Sequence, residues 1–401
     1  MAKRKIQKPT RFERMYKVWD YLRKNTDRRH PTSIAKMRKD ENINAYIGDK
    51  ETINRLLKDM ANIMNLEDGG SDYKPEAEWR LYFDDFKKFY GDKERYERDD
   101  SDEDDSYIAN VMRIKNLYYN RTFSEKEVDS IIEGIMATRT LDSKSAQELV
   151  RKVEDNMTTA FYKRTPRHIC KVQEPELADR ELLKDNLAII QKAIDDNVRI
   201  QFRFNGYSYE KKLEPVRAEM DELSPYYIVA SGGKYYLLAA KEYEGYKPNM
   251  SIWRIDLMTD IEIPGRNDRL HIKGIPRIPK KNVSNLPEKW SEDFQLKHLN
   301  MSFDKPVPVT LRIKSEKCED NPKKRVRPGY TFLHDWFGDS FTYIRTEKEP
   351  PYDDIVRVEC SPYGMAHWAL QYSELVEILE PESLREDIKS KIKALNEKYS
   401  L

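Results

Sequence analysis

Lys50, Thr52, Asn54 and Arg55 fall within six residues of one another, and they are the side-chain types that read nucleic acid. A guanidinium or ammonium pairs with guanine edges, a carboxamide with adenine and a hydroxyl with either. The same stretch carries Ile53, Leu56, Leu57, Met60 and Ile63 at steps of 3, 1, 3 and 3. That spacing predicts a helix with one apolar face, capped by Gly48 or Asp49, and with the four polar residues and Lys58 opposite. A second constellation is Trp253-Arg254-Ile255-Asp256. On a strand, Arg254 and Asp256 share one face and Trp253 and Ile255 the other. Arg254 there either grips a phosphate bidentately or pairs with Asp256, and both readings stand.

Catalytic signatures are absent. The chain has no phosphate-cradling Gly-rich loop, no Gly-x-Ser-x-Gly, no His-Glu-x-x-His and no Cys-x-x-Cys. His30, His168, His271, His298, His334 and His367 are scattered without i,i+4 pairing, and Cys170, Cys318 and Cys360 fit no disulfide or metal spacing. The acidic run Glu97–Asp105 lacks the central Gly and the terminal Glu of a calcium loop. The expectation is a non-enzyme with no cofactor and no metal.

The elements that must position these residues begin with a basic head. Phe12, Met15, Tyr16, Trp19 and Leu22 predict a first helix buried along that face and ended by Asn25-Thr26-Asp27; a short second helix follows near Ser33–Arg38. Three helices in about 60 residues, the last polar outside, fit a helix-turn-helix. They equally fit a small packing domain with a solvated charged face. Charge favours the first. The 401 residues hold 72 Lys+Arg and 71 Asp+Glu, a net of only +1. Residues 1–60 hold 17 and 8, whereas residues 61–110 hold 7 and 16, so a +9 head is cancelled by a −9 segment. The arm Lys3–Lys8 adds flexible cations suited to phosphates. The acidic run reads as a disordered loop that either solubilises the chain or competes with phosphates for the head. No run of about 18 apolar residues is present, and the basic start Met1–Lys5 is followed by no apolar stretch, so a soluble cytoplasmic protein is expected.

Trp79–Phe83 predicts a strand or short helix. Ser124–Glu127 is a capping box leading Val128, Ile131, Ile132 and Ile135, and Asp142-Ser143 opens a second amphipathic helix through Val153. After a helix with Leu187, Ile190 and Ile194, the period changes to alternation: Val198, Ile200, Phe202 and Phe204 are apolar around Arg199, Gln201 and Arg203. Asn205-Gly206 predicts a hairpin turn. Further strands are expected at Tyr226–Val229, Tyr235–Ala239 and Ile252–Leu257, together a small antiparallel barrel.

Ser224–Leu237, with Tyr235-Tyr236-Leu237 as its triplet, resembles the core of the WYL domain, and Trp253–Asp256 resembles that family's downstream pattern. Leu257 departs from it where Arg is usual, as does Tyr227 where Arg or a small residue is common. The order of modules is also similar: Phe12–Met64 with Lys50–Arg55, then Phe123–Glu127 and its helices, then the alternating Val307, Val309, Leu311, Ile313, and finally a helix carrying Leu384, Ile388, Ile392, Leu395 and Tyr399 on one face. The resemblance implies an α+β multidomain chain. Its parts would be a winged helix-turn-helix (residues 1–95), an acidic flexible loop (96–110), a helical connector (111–182), an Sm-like, SH3-type β-barrel WYL domain (183–265), a linker (266–300) and an α+β C-terminal extension (301–401). It implies a homodimeric transcription regulator, a repressor by family habit. Lys50, Thr52, Asn54 and Arg55 would meet a double-stranded operator. Arg203, Tyr227, Tyr235, Tyr236 and Arg254 would meet a single-stranded nucleic-acid or nucleotide effector, with tyrosines stacking on bases. Neighbouring strand residues alternate, so one of Tyr235 and Tyr236 is expected in the core. The alternative is an accessory single-stranded nucleic-acid-binding protein acting in phage defence. Lys323–Arg327, bracketed by Pro322 and Pro328, is either a second basic patch or a solvated loop.

Overall fold

A computed structural model describes residues 9–68, 72–88, 113–138, 141–164, 180–315, 317–318, 321–325 and 329–399. The arm Lys3–Lys8, the acidic run 97–105 and Cys170 lie outside the described residues. The chain divides into two compact units, Met1–Pro175 and Glu176–Leu401, the boundary falling inside the expected connector. Among the described residues no helix is long and apolar enough to cross a membrane.

The first unit opens with four helices, one more than expected: α1 (Arg11–Asn25), α2 (Ile34–Lys39), α3 (Asn44–Ile47) and α4 (Lys50–Asn65). A capping box between Thr10 and Glu13 starts α1, and the Ser33 and Asp49 side chains cap α2 and α4. The buried side of α1 runs through Val18 and Leu22 with Met15 and Trp19 beside them, while Phe12 and Tyr16, expected inside, are exposed. Strand β1 (Leu81–Tyr82) pairs antiparallel with β2 (Tyr118–Tyr119), and Thr32 bridges Leu117. Buried Asn65 ties α4 to this small sheet: its Oδ1 accepts from the Arg80 and Leu81 amides (2.8 and 3.2 Å) and its Nδ2 donates to the Leu81 carbonyl (2.8 Å). Helices α5 (Glu125–Ala137, with the Ser124 capping box) and α6 (Ser143–Met157) then pack on each other through Val128, Ile132, Val150 and Val153.

The second unit starts with α7 (Arg180–Asp196), followed by β3 (Ile200–Tyr207), β4 (Leu213–Pro215), β5 (Asp221–Ser231), β6 (Lys234–Tyr243), β7 (Tyr246–Arg254) and β8 (Met258–Glu262). The sheet order is β4-β3-β5-β6-β7, and β8 pairs back with β3, so the sheet curls toward its own first strand. Two boundaries differ from expectation. Asn205-Gly206 lies inside β3, because the Asn205 amide donates to the Leu257 carbonyl and Thr259 Oγ1 (3.0 Å each); the chain turns at Ser208–Lys212 instead. The last strand stops at Arg254, and Ile255–Leu257 is a 3-10 turn. Buried Asn186 on α7 donates to the Ile255 and Met258 carbonyls (3.3 and 2.8 Å), acceptors that a continuing ladder would use.

Residues 266–300 are more than the expected linker: Ile278, Val283 and Phe294 are buried. Beyond them, β9 (Val307–Ile313), β10 (Thr342–Thr346), β11 (Asp354–Cys360) and β12 (Val376–Glu380) form an antiparallel sheet in the order β10-β11-β9-β12. Helices α8 (Thr331–Phe337), α9 (Pro362–Gln371) and α10 (Glu382–Tyr399) accompany it, with Trp368 and Phe337 in the core. Leu384 is buried and Ile388 partly so, but Ile392, Leu395 and Tyr399, expected on the same packed face, are exposed. The basic run falls partly in the strand Asn321–Arg325, and Val326 and Arg327 lie outside the described residues.

Residues 294–302 act as a wedge between the two sheets of this unit. Phe294 and Met301 join the apolar cluster on β5–β7, whereas Leu299 joins that of the C-terminal sheet. Between them His298 is buried, stacked on Phe294 at 4.1 Å, with Nδ1 2.7 Å from the Ser302 carbonyl oxygen. Burial holds its pKa below the ordinary 6.5. The folded state therefore prefers neutral His298, so its stabilisation is present above pH 6.5 and is lost as pH falls through the depressed value. In urea unfolding, the stability of the second unit should hold from pH 7.5 to 6.5 and fall below that by up to about 1.4 kcal/mol per pH unit from this group. A His298→Phe variant should show a shallower pH slope; an unchanged slope would contradict the assignment.

Candidate nucleic-acid interface

The four head residues are divided by the packing of α4. Lys50, Thr52 and Arg55 are exposed on its N-terminal half, but Asn54 is fully buried and Lys58 nearly so. Asn54 was expected on the open face. It is covered because the buried face of α4 is broad: beyond Ile53, Leu56, Leu57 and Met60 it extends over Asn54, Lys58, Ala61 and Asn65. An apolar stripe alone does not reveal that extension, since Asn54, Lys58 and Asn65 are polar. The exposed strip left by this packing is Lys50, Glu51, Thr52, Arg55 and Ile63.

Thr52 serves the cap, its backbone N–H donating to Asp49 Oδ1 (2.8 Å) and its hydroxyl to Oδ2 (2.9 Å). These two bonds, and the charge of Arg14, hold the Asp49 carboxyl below its usual range. Arg55 pairs with Glu51 one turn earlier at 2.8 Å, and Arg11 pairs with Asp59. The turn before α4 is itself set among cations. Gly48 has φ of +66°, Arg38 donates to its carbonyl at 3.2 Å, and a Cβ built there would meet the Arg14 guanidinium at 2.3 Å. Arg14 and Arg38 thus flank the N-terminus of α4, and Lys36 and Lys39 are exposed on α2. Sequence periodicity did not select these cations; their density in residues 11–39 was the available signal.

On the curled sheet, the five candidate ligand residues do not form one cluster. Tyr236 and Arg254 face each other across β6 and β7, and Tyr227 packs on the same apolar cluster as Tyr236. Tyr235 packs on the opposite side, with Phe202, Leu237 and Ile255. Both tyrosines are half-buried, because each side of the sheet is covered: one by α7, the other by the wedge and residues 278–286. The Tyr227 hydroxyl lies 3.1 and 3.0 Å from the Pro287 and Glu288 carbonyl oxygens and accepts from Lys280 Nζ at 2.8 Å, an anchor for the covering segment. Arg203 donates to the Ala218 carbonyl at 3.0 Å and sits 3.4 Å from Asp260. Burial raises the Tyr236 pKa, opposed by the neighbouring Arg254 charge.

Arg254 makes the internal pair that its spacing to Asp256 allowed: Nε to Oδ1 at 3.1 Å and Nη2 to Oδ2 at 2.5 Å. The Asp256 side chain is only 1% exposed and that of Arg254 30%. Removing the guanidinium strands a buried carboxylate, a larger loss than the pair's own worth. Arg254→Met should cost about 1–3 kcal/mol in urea unfolding, the lower part of the buried-pair range because Arg254 is partly screened. Arg254→Met/Asp256→Leu should recover most of that loss, and a double variant no more stable than Arg254→Met would contradict this account. Among the described residues no group of three or more His, Cys, Asp or Glu is placed to hold a metal ion.

Comparison with known proteins adds the following. No curated protein matches the chain. Among solved structures, the proteasome accessory factor B/C (PafBC) of Arthrobacter aurescens is 17% identical with a TM-score of 0.23, covering 72% of this chain, which in turn spans 39% of that one. A crystal structure of a CRISPR Cas-related protein is 14% identical with a TM-score of 0.29, and 76% of each chain is covered. The C-terminal sheet and helices, residues 305–395, match the family model of the WCX domain.

Proposed function

We propose that this chain is a DNA-binding transcription regulator of the WYL type. In this reading α1–α4 and the small sheet are a winged helix-turn-helix, with Thr32, β1 and β2 as the sheet. The curled sheet is the sensor domain, an SH3-type barrel, and the WCX match falls where the C-terminal extension is expected. The observation that carries the reading is the N-terminal half of α4: Lys50, Thr52 and Arg55 are exposed on a helix anchored by a broad buried face, with Arg14 and Arg38 beside its start. A helix end flanked by cations suits a major groove and its bordering phosphates. The role is binding rather than catalysis, the setting cytoplasmic, and a two-fold operator would pair two copies of the chain.

The effector would be nucleic-acid-like. Its phosphate would compete with Asp256 for the Arg254 fork, and Tyr236, facing Arg254 across the strands, would gain a stacking partner. Because the wedge covers this side of the sheet, entry of an effector would displace it. The wedge also enters the C-terminal core through Leu299, so binding would be felt in the WCX region.

Footprinting on duplex DNA from upstream of the protein's own gene tests the proposal. A protected two-fold site is expected, lost in Arg55→Ala and retained in Arg254→Ala. Uniform single-strand binding, lost in Arg254→Ala and untouched in Arg55→Ala, would overturn the regulator in favour of an accessory single-strand binder. The Arg55–Glu51 pair makes a further prediction: Glu51→Gln breaks that pair and removes a negative charge from the exposed side of α4. Affinity for the duplex should rise by about threefold to tenfold at low salt, shrinking as salt rises. A Glu51→Gln protein that binds no more tightly at any salt would contradict the placement of Arg55 at the DNA.

A further inference from the structure

We propose that a second cleft, wholly within the first unit, binds a small phosphate-bearing molecule through Arg121. The cleft lies between the loop that follows α1, the chain leaving β2, the start of α5 and the segment that follows α6, and its volume is about 880 Å³. That is ample for a small ligand.

Arg121 lines it, and the side chain is unlike the other arginines that present a guanidinium fork in this molecule. Its Nε and Nη2 are shielded from solvent and have no hydrogen-bond partner. Those two N–H groups form one edge of the guanidinium, the edge that binds a pair of oxygens. At two other arginines the same edge is filled: Arg254 uses it on Asp256, and Arg312 uses it on Glu347 at 3.2 and 3.1 Å. Arg23 nearby adds a second shielded, unpartnered Nε. Burial and the Arg23 charge both push the Arg121 pKa down.

The carboxylates around the cleft do not fill this vacancy. Asp27 accepts from the His30 ring at 3.0 Å and from the Arg29 and His30 amides at 2.7 Å each. Glu127 closes the Ser124 cap, and Asp129 accepts from the Tyr162 hydroxyl at 2.5 Å. Arg28, Arg29 and Lys163 also line the cleft, and among the described residues neither they nor Arg121 form an ion pair. Several cations and one unpartnered fork, which a ligand would reach by parting the groups that shield it, suit a multiply charged oxyanion better than a carboxylate. Phe161, stacked on the His30 ring at 4.0 Å and 42% exposed, offers an apolar face for the rest of the ligand.

The test is calorimetric titration of the full chain with inorganic pyrophosphate at constant ionic strength. Saturable binding of one pyrophosphate per chain is expected. Arg121→Lys keeps the charge without the planar fork and should weaken binding by about tenfold or more, and Arg121→Met should abolish it. Neither variant should lower the melting temperature, since each removes an unpartnered group; should Arg121→Met fail to fold, Arg121→Lys carries the test. Lys50→Ala, which weakens the proposed operator contact, should bind pyrophosphate as the parent does, so the two readings fail separately. Binding should also persist with saturating duplex DNA present. Absence of saturable heat, or an Arg121→Lys titration equal to the parent's, would overturn the proposal. So would competition by the duplex, which would assign the cleft to the DNA's own phosphates.

Discussion

A polar group taken out of water must find its partner inside the protein, and this constraint shapes both units. Asn65 fastens α4 to β1, Asn186 ends the last long strand of the curled sheet, and Asn205 carries β3 past the expected turn. Asp256 holds Arg254, and buried Asp221 on β5 is met by Lys241 from β6 at 2.7 Å. Each is a short polar side chain whose partner comes from another element. These bonds fix where elements begin, end and turn, while the apolar clusters supply the bulk of the stabilisation.

The same constraint separates what could be read from the sequence from what could not. Helix starts were legible because their signals are local: Asp49, one of two candidate caps, and Ser124 and Asp142 all cap the helices they were expected to open. Strand alternation was legible through Ile200 and Phe202 and through Val309, Leu311 and Ile313, all buried. Long-range polar bonds were not. Asn205-Gly206 carries a strong local turn signal, yet partners more than 50 positions away override it. Asn54 looked like a surface amide because periodicity counts apolar residues and is blind to a buried face extended by polar ones. Phe12 and Tyr16 kept the right helical spacing, but the α1 face that packs is centred on Val18 and Leu22. Arg121 carried no signal in the sequence; its interest lies in a partner that is missing.

For function, the consequence is a division of labour among arginines. Arg55 is exposed and its pair with Glu51 is a surface pair within one helix, so exchanging that carboxylate for a nucleic-acid phosphate would cost little. Arg254 is half-buried and bound to a carboxylate with almost no access to water, so any ligand there must compete with an internal pair and displace the covering wedge. On the proposed function the head would be ready to bind as it stands, and the sheet would stay closed until an effector opened it. A sensor coupled to a reader would need that asymmetry, since an effector must act differently on two states of the protein to change what the head does.

The central claim is that α4 is the surface that meets DNA. Photo-crosslinking tests it most directly, using the full chain bound to a halogenated-uracil duplex from upstream of its own gene, with the crosslinked peptides mapped by mass spectrometry. The account predicts crosslinks at the N-terminal half of α4 and the cation-rich turn before it, residues 36–55. Crosslinks confined to the curled sheet, residues 200–262, with none in the head, would contradict it.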